Sequence, residues 1–357
     1  MNNNKSLSYG IVGAGFIASN VHLPILCTSE GINVTSICDE DLAQAHKVAD
    51  NFHISKVYGN LDEMLENETL DVVDVLTPPS SHMQVALKVL KAGCNCLIEK
   101  PLTTKTADAD ALIDASKQND RILHVIHNFS FMPCMRKAKR IIETHDLGDS
   151  VSVDVKYLTS LEVEMQRYAE PTHWCHSLPG DIFYDLSPHL IMLLLDFLDN
   201  PKTVKTITAK LSDNPNIKWD ELRVIVEAEN GVGTIAISFN SPARSVSIDV
   251  VKTKGRLFLN ADNQIVTKYS AITPKDLTSP VSKGLRTLSE VNQQLRGLAS
   301  NTFNSVTKRY GAIHKESHGY LIRQSIKSMQ GQGVYPVDLW KAREVVRLLE
   351  AIFGSPT

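Results

Sequence analysis

Apolar residues in the first third of the chain come in short runs. Each run is followed by a longer stretch in which apolar residues recur at steps of three and four. The run 9–12 reads as a buried strand that enters a glycine turn and then a helix over 17–27, where Pro24 bends or shortens it. The β-branched run 32–38 is a second strand, and 42–52 a helix. A short helix follows at 61–67, capped by Asn60, and then an apolar strand at 72–76. A helix over 83–92 stops at Gly93. The strand 94–98, the helix 103–118 and the strand 122–127 complete the series. Strands alternating with helices in this way predict a parallel sheet with helices on both faces, and ligands in such sheets sit at the carboxyl ends of the strands.

From about residue 128 the pattern changes. A helix over 135–144 gives way to alternating strands at 151–160, 203–211, 221–229, 232–240, 244–251 and 256–260, with 264–269 a further candidate. Asn230-Gly231 between two alternating runs signals a type I′ hairpin. Residues 273–309 read as an insertion rich in Ser, Thr, Asn and Gln; a weak helical period over 281–298 makes it a mobile segment or a lid. A helix over 316–329 and a last one to about 353, capped by Asp338, close the chain. The expectation is thus α/β plus α+β: a doubly wound Rossmann sheet over 1–127, then a domain over 128–357 built on an open, largely antiparallel sheet.

Composition sets limits on this picture. At 357 residues the chain is long enough for two domains of about 150 residues each. An apolar fraction of 43% is ordinary for a globular protein, and a net charge of −3 supplies no basic surface for nucleic acid or anionic lipid. The run from Leu190 to Leu198 is broken by Asp196 and falls far short of the ~20 residues that span a bilayer, so no membrane association is expected. Lys5 followed by an apolar run imitates a signal peptide, but the glycines and the βαβ rhythm that follows argue against secretion. The six cysteines (Cys27, Cys38, Cys94, Cys96, Cys134, Cys175) contain no C-x-x-C, which fits a reduced, cytoplasmic compartment.

The chemistry begins at Gly13-Ala14-Gly15-Phe16-Ile17-Ala18, which fills the G-x-G-x-x-G/A pattern. Gly13 permits the tight turn, Gly15 lets a pyrophosphate approach the backbone, and Ala18 lets the helix pack against the strand. Asp39 ends the second strand, about 20 residues on, where an acid accepts hydrogen bonds from the adenosine ribose. Glu40 and Asp41 follow it with no nearby Arg or Lys, so NAD is favoured over NADP. The competing reading of these acids is a solvated turn that caps the next helix. Thr77, Pro78, His82, Glu99, Lys100 and Asn128 also stand just after strands. His173, Trp174, Cys175 and His176 have metal-binding side chains but no spaced partners, so no metal is assigned. Trp174 either stacks on a sugar ring or anchors its loop.

The glycine turn, Thr77-Pro78-Pro79-Ser80-Ser81-His82, Glu99-Lys100-Pro101, Asn128 and the stretch 180–189 with Asp185-x-x-x-His189 together resemble the Gfo/Idh/MocA oxidoreductases over nearly the whole chain. That family includes glucose–fructose oxidoreductase, inositol dehydrogenases and sugar-nucleotide dehydrogenases. The resemblance implies that Lys100, Asp185 and His189 are catalytic, lying beside nicotinamide and substrate. It also implies that Gly13, Gly15, Phe16, Ile17, Ala18, Asp39, Thr77, Pro78, His82, Glu99 and Lys100 hold the cofactor. The substrate would be a polyol or sugar, with Asn128, Arg136 and Trp174 as contacts. His189 titrates in the range a proton acceptor needs, Lys100 takes a proton or polarises oxygen, and Asp185 orients either one. His82 is a nicotinamide-side contact or a helix-end residue, and His318 a packing or surface residue.

One departure stands out. Pro188 directly precedes His189, so the helix either starts late, with Ser187 as its cap, or kinks. The family also implies a homodimer or homotetramer formed through the C-terminal sheet. Two other functions remain open: a dinucleotide-binding regulator without activity, and an imine or enone reductase.

Overall fold

The computed structural model describes residues 6–144, 146–164, 166–170, 172–306 and 313–354. The chain forms two compact units. One comprises Met1–Asn128 with Lys315–Glu350 and the final residues, the other Phe129–His314 with Ala351–Gly354. The division therefore differs from a single cut after residue 127, because most of the last two helices belongs to the first unit.

In the first unit, strands β1 (Leu7–Val12), β2 (Ile32–Cys38), β3 (Lys56–Tyr58), β4 (Val72–Val75), β5 (Asn95–Glu99) and β6 (Leu123–Ile126) form a parallel sheet in the order β3-β2-β1-β4-β5-β6. This is the doubly wound arrangement that the strand–helix alternation predicted. Strand β3 was missed; three residues with an exposed lysine give too short a pattern to read. The connecting helices are α1 (Leu23–Leu26), α2 (Leu42–Phe52), α3 (Leu61–Asn67), α4 (His82–Lys91) and α5 (Thr106–Gln118). The predicted helix over 17–27 is a π-helical turn, Ala18–His22, followed by the short α1 with Pro24 in its first turn. Proline is tolerated there because the first amides of a helix have no internal partner.

The second unit carries α6 (Pro133–Thr144), β7 (Ser150–Ser160), α7 (Leu161–Glu164) and α8 (Ile182–Leu195). It continues with β8 (Thr203–Ala209), β9 (Glu221–Ala228), β10 (Gly231–Ser238), β11 (Asn240–Lys252), β12 (Gly255–Asn260) and β13 (Ile265–Ser270), then α9 (Pro274–Thr278) and α10 (Pro280–Val306). The sheet order is β13-β12-β11-β7-β10-β9-β8; all pairings are antiparallel except β7 with β10. The β9–β10 hairpin forms, but Ala228 pairs with Gly231, so the turn residues are Glu229 and Asn230. Neither has a positive φ, so the turn is not the type I′ that Asn-Gly suggested.

One face of this sheet is covered by the apolar α8. A side chain added at Gly233 on β10 would meet Leu194 and Leu198 at 2.5 to 2.9 Å. The insertion is mostly helix α10, and its end, including Arg309, lies outside the described residues. The last helices are α11 (Ile313–Met329) and α12 (Leu339–Phe353). Ala342 and Val346 of α12 share a core with Val73, Ile98 and Leu112. Among the described residues no helix is long and apolar enough to cross a membrane.

Candidate functional site

The glycine turn is built as a cradle. Gly13 has φ +100°, and a Cβ there would lie 2.8 Å from the Leu76 carbonyl carbon and oxygen, so no other residue fits. Gly15 is the opposite case: a Cβ would meet no protein atom within 4 Å. The chain therefore does not itself require glycine there, and the exposed space is what an approaching pyrophosphate needs. Ala18 is fully buried against the strand, Ile17 is half-buried, and Phe16 stands 62% exposed beside the turn.

Asp39 acts on this turn directly. One carboxylate oxygen accepts from the Ala14 amide at 2.6 Å and the other from the Asp41 amide at 2.9 Å. Gln44 donates to the Ala14 carbonyl at 2.9 Å. Asp41 is the N-cap of α2, accepting from the Gln44 amide at 3.1 Å, so the capping reading holds for Asp41. Each Asp39 oxygen keeps a lone pair for a ribose hydroxyl, and the residues present thus fit a dinucleotide.

Beyond β4, the Thr77 hydroxyl accepts from Ser81 at 2.8 Å, and Pro78 is exposed. His82, expected as a nicotinamide-side contact or a helix-end residue, is the first residue of α4. It has no exposed surface, with its ring nitrogens 2.8 Å from the Pro101 carbonyl and 2.9 Å from that of Thr77. Burial lowers its pKa while the two carbonyls oppose that shift, and the ring braces the Thr77 and Pro101 loops against each other.

Glu99, expected at the cofactor, faces the protein's own groups. It is 7% exposed, and its carboxylate is taken up inside the protein. One oxygen faces His22 Nε2 at 3.0 Å and His318 Nε2 at 3.3 Å; the other accepts from the Lys100 amide at 3.1 Å. His22 Nδ1 in turn lies 2.7 Å from Asp74, a fully buried carboxylate in the middle of β4.

The charges in this clamp follow from its contacts. Burial alone would lower the His22 pKa, but Asp74 and Glu99 outweigh it and hold it up at about 10. Burial would raise Glu99, but His22 and His318 hold it well below the usual carboxylate range. Asp74 is raised by burial, with His22 opposing. His318, expected as a packing or surface residue ahead of a pocket residue, is thus a buried member of the clamp. His22 and Asp74 were missed altogether. The available signal was Asp74 itself, a lone charge in the run Val-Val-Asp-Val, which a buried parallel strand does not tolerate unpaired.

Asn128 is buried, with its amide nitrogen 3.2 Å from His318 Nδ1 and 3.5 Å from the Ser317 hydroxyl. It therefore extends the clamp. Neighbouring His127 is also buried; burial pushes its pKa down to about 3, and among the described residues neither ring nitrogen has a hydrogen-bond partner. Lys100 itself is half-buried.

In the second unit, α8 runs unbroken from Ile182 to Leu195 with Pro188 inside it, so the late start is ruled out. Asp181 caps it, at φ 53°, with its side chain accepting from the Ile182 amide at 2.8 Å. Asp185 and His189 consequently lie one turn apart on one helix face. Asp185 accepts from the Tyr168 hydroxyl at 2.6 Å, and the His189 ring stacks on Phe129 with centroids 4.1 Å apart. Tyr168 and Phe129 are further residues that sequence reasoning did not single out.

Trp174 sits half-buried on a short 3₁₀ turn, 5.3 Å from the His173 ring, and Arg136 is half-buried on α6. Two trios have donor types and closeness suited to a metal ion: His22, Glu99 and His318, and Cys175, His176 and Asp181. Hydrogen bonds within each account for their geometry, as His22 bridges two carboxylates and His176 pairs with Asp181.

Comparison with known proteins agrees with this geometry. A curated relative, oxidoreductase P35 of Formosa agariphila, is 23% identical over 57% of this chain and 64% of its own length. The chain thus spans less than two thirds of that relative. The D-apiose dehydrogenase of Rhizobium rhizogenes is 23% identical over 88% of this chain and 87% of that protein. Among solved structures, the WlbA dehydrogenase of Bordetella pertussis, in complex with NADH and UDP-GlcNAcA, superposes with a TM-score of 0.78 at 19% identity, covering 99% of this chain and 96% of that one. At that identity the likeness shows the fold alone. The family profile described as "Oxidoreductase family, NAD-binding Rossmann fold" matches residues 7–127, and the "GFO/IDH/MocA C-terminal domain" matches 135–258. The chain belongs to the Gfo/Idh/MocA family of oxidoreductases, with an NAD-binding Rossmann fold at its N-terminal end.

Proposed function

We propose that the protein is an NAD-dependent dehydrogenase that interconverts a secondary alcohol and a ketone on a sugar, cyclitol or nucleotide-sugar. The first unit cradles the dinucleotide and the second carries substrate contacts. The observation that supports this most is the end of β5. Glu99 is held by His22, His318 and the Lys100 amide, and this fixes where Lys100 leaves the strand, on the same sheet edge as the Gly13 turn. The sugar class is supported by the relatives, a D-apiose dehydrogenase and a WlbA dehydrogenase in complex with NADH and UDP-GlcNAcA.

When bound, NAD takes the hydride from the carbinol carbon. The hydroxyl proton falls to this chain's own residues. His189 accepts it, and the Lys100 ammonium stabilises the developing negative charge on oxygen. Asp185, held by Tyr168, keeps its helix face polar and orients the acceptor. Arg136 and Trp174 remain substrate contacts in this reading, while Asn128, buried against His318, positions the clamp.

The test is direct. NADH and NADPH are titrated by nicotinamide fluorescence, and a panel of sugars, cyclitols and nucleotide-sugars is screened for NAD reduction. Lys100→Met is expected to lower kcat about 10²–10⁴-fold while NADH affinity stays within a few-fold. Tight NADH binding with no turnover on any alcohol would sink the dehydrogenase reading and leave a dinucleotide-binding regulator or an imine or enone reductase.

A further inference from the structure

Helix α10 is docked the wrong way round for an amphipathic helix. Among the described residues its half-buried positions form a polar stripe, Ser282, Arg286, Glu290, Gln293, Gly297 and Asn301, and this is the side that meets strand β13. Gln293 brackets Lys268, accepting from its amide at 2.9 Å and donating to its carbonyl at 3.2 Å. Arg286 donates to the Ser270 carbonyl at 2.9 Å and pairs with Glu290 at 3.3 Å. Asn301 donates to the Gln264 carbonyl at 3.2 Å, and Gly297 lies against Ile265.

The opposite side of the same helix is apolar and bare. Val281, Leu285, Leu288, Val291, Leu295 and Leu298 are between 44% and 70% exposed. They recur at steps of three and four, the spacing of a helix–helix seam, and no charged residue interrupts them. An ordinary surface helix turns this stripe to its own core. Here the polar side is used up on β13.

The stripe is also its own mirror image along the chain. Reversed about its midpoint near residue 290, Val281 falls on Leu298, Leu285 on Leu295 and Leu288 on Val291. A surface that complements itself on reversal is what an isologous two-fold contact requires. The 27-residue helix is about 40 Å long. Six apolar side chains from each of two copies, with their surroundings, cover on the order of 1,000 Å², the lower end for a specific interface. The exposed face of the second unit's sheet is less suited: its Ile207 and Ile225 alternate with exposed Lys205, Arg223 and Glu227. A lipid surface fits less well: Arg286 is taken up by Ser270 and Glu290, which leaves only Lys283 and Arg296 exposed among the helix's basic residues, against the broad basic face of an interfacial helix.

We propose that α10 forms the contact between two copies of this chain, paired antiparallel about a two-fold axis near residue 290. The contact does not depend on the reaction assigned above. Cys27 is the exposed cysteine of the six, so cross-linking is done in a Cys27→Ser background. A chain carrying Leu285→Cys and another carrying Leu295→Cys are mixed and oxidised with diamide. Disulfide-linked dimers are expected in the mixture and not from either chain alone. In sedimentation velocity, Leu288→Glu with Leu295→Glu is expected to halve the mass of the unaltered chain, with its circular dichroism unchanged. Both positions face solvent, so their change leaves the fold intact. Equal masses for the two proteins would overturn the proposal, whether monomer or oligomer, as would cross-linking of Leu285→Cys with itself. Flotation with phosphatidylcholine–phosphatidylserine vesicles that the glutamate variant loses would also overturn it, assigning the stripe to a membrane.

Discussion

Asp74 has no exposed surface, and it sits in the central strand β4, paired on either side to Ile11 and Leu97. An isolated carboxylate there would cost many kcal/mol in desolvation. It is tolerated because His22 reaches it from the π-turn, and because His22 also bridges to Glu99. The lone charge in Val-Val-Asp-Val was a legible signal, but its partners were not. His22 and Asp74 are 52 residues apart and His22 and Glu99 are 77, so no local pattern joins them. Gly13 and Asp39, by contrast, were legible because their demands are local: a backbone φ and an acid at a strand end. The clamp makes two predictions. His22→Gln strands a buried carboxylate and is expected to destabilise by about 3–5 kcal/mol in urea unfolding at pH 7. The pH dependence follows from the raised pKa. His22 is protonated in the folded protein up to about 10 but only to about 6.5 when unfolded, so its stabilisation is full below pH 6.5 and declines as pH rises towards 10. Unfolding free energies measured between pH 6.5 and 10 should fall steadily in the unaltered protein and lose most of that slope in His22→Gln. Parallel slopes would refute a protonated His22.

At the scale of elements, the strand–helix alternation of the first unit was readable because buried parallel strands are continuous apolar runs bounded by turn residues. The second sheet was readable through alternation. Leu222, Val224, Val226 and Ala228 point inward on β9 while Arg223, Ile225 and Glu227 point out. Helix α8 was the difficult case. Local propensity put a boundary at Pro188, but ten of the helix residues besides Ser187 and Pro188 are buried, and that packing carries the helix through the missing hydrogen bond. Pro188→Ala restores an amide donor to the Tyr184 carbonyl. Against a cost of about 3 kcal/mol for proline in a helix interior, and some lost packing of its ring, a net gain of about 1 kcal/mol in thermal unfolding is expected. Gly180 just before the helix is a harder constraint. A Cβ there would lie 2.8 Å from the Phe353 ring, and Gly180→Ala is expected to lower stability by about 1–3 kcal/mol in the same measurement.

For the molecule as a whole, the cofactor is expected to act on one part of the chain. The NAD-binding Rossmann fold lies in the first unit, so NAD is expected to stabilise the transition in which that unit unfolds. At a hundred times its Kd the gain is about 2.7 kcal/mol, on the order of 5–10 °C for a unit of this size. A calorimetric scan in which the two units melt separately would show one peak move and the other stay. The same scan reads cofactor choice. Asp39 and the exposed Glu40 place carboxylates where a 2′-phosphate would have to lie, and a like-charge pair at about 4 Å costs about 1–4 kcal/mol. NADP is therefore expected to give a far smaller shift than NAD at equal concentration. Asp39→Ser removes one of these charges and also the clamp on the Ala14 amide, so it should weaken NAD and bring the ratio of NAD to NADP affinity down about tenfold or more. An Asp39→Ser protein that loses NAD and NADP binding in equal proportion would show that this carboxylate only shapes the turn and does not read the ribose.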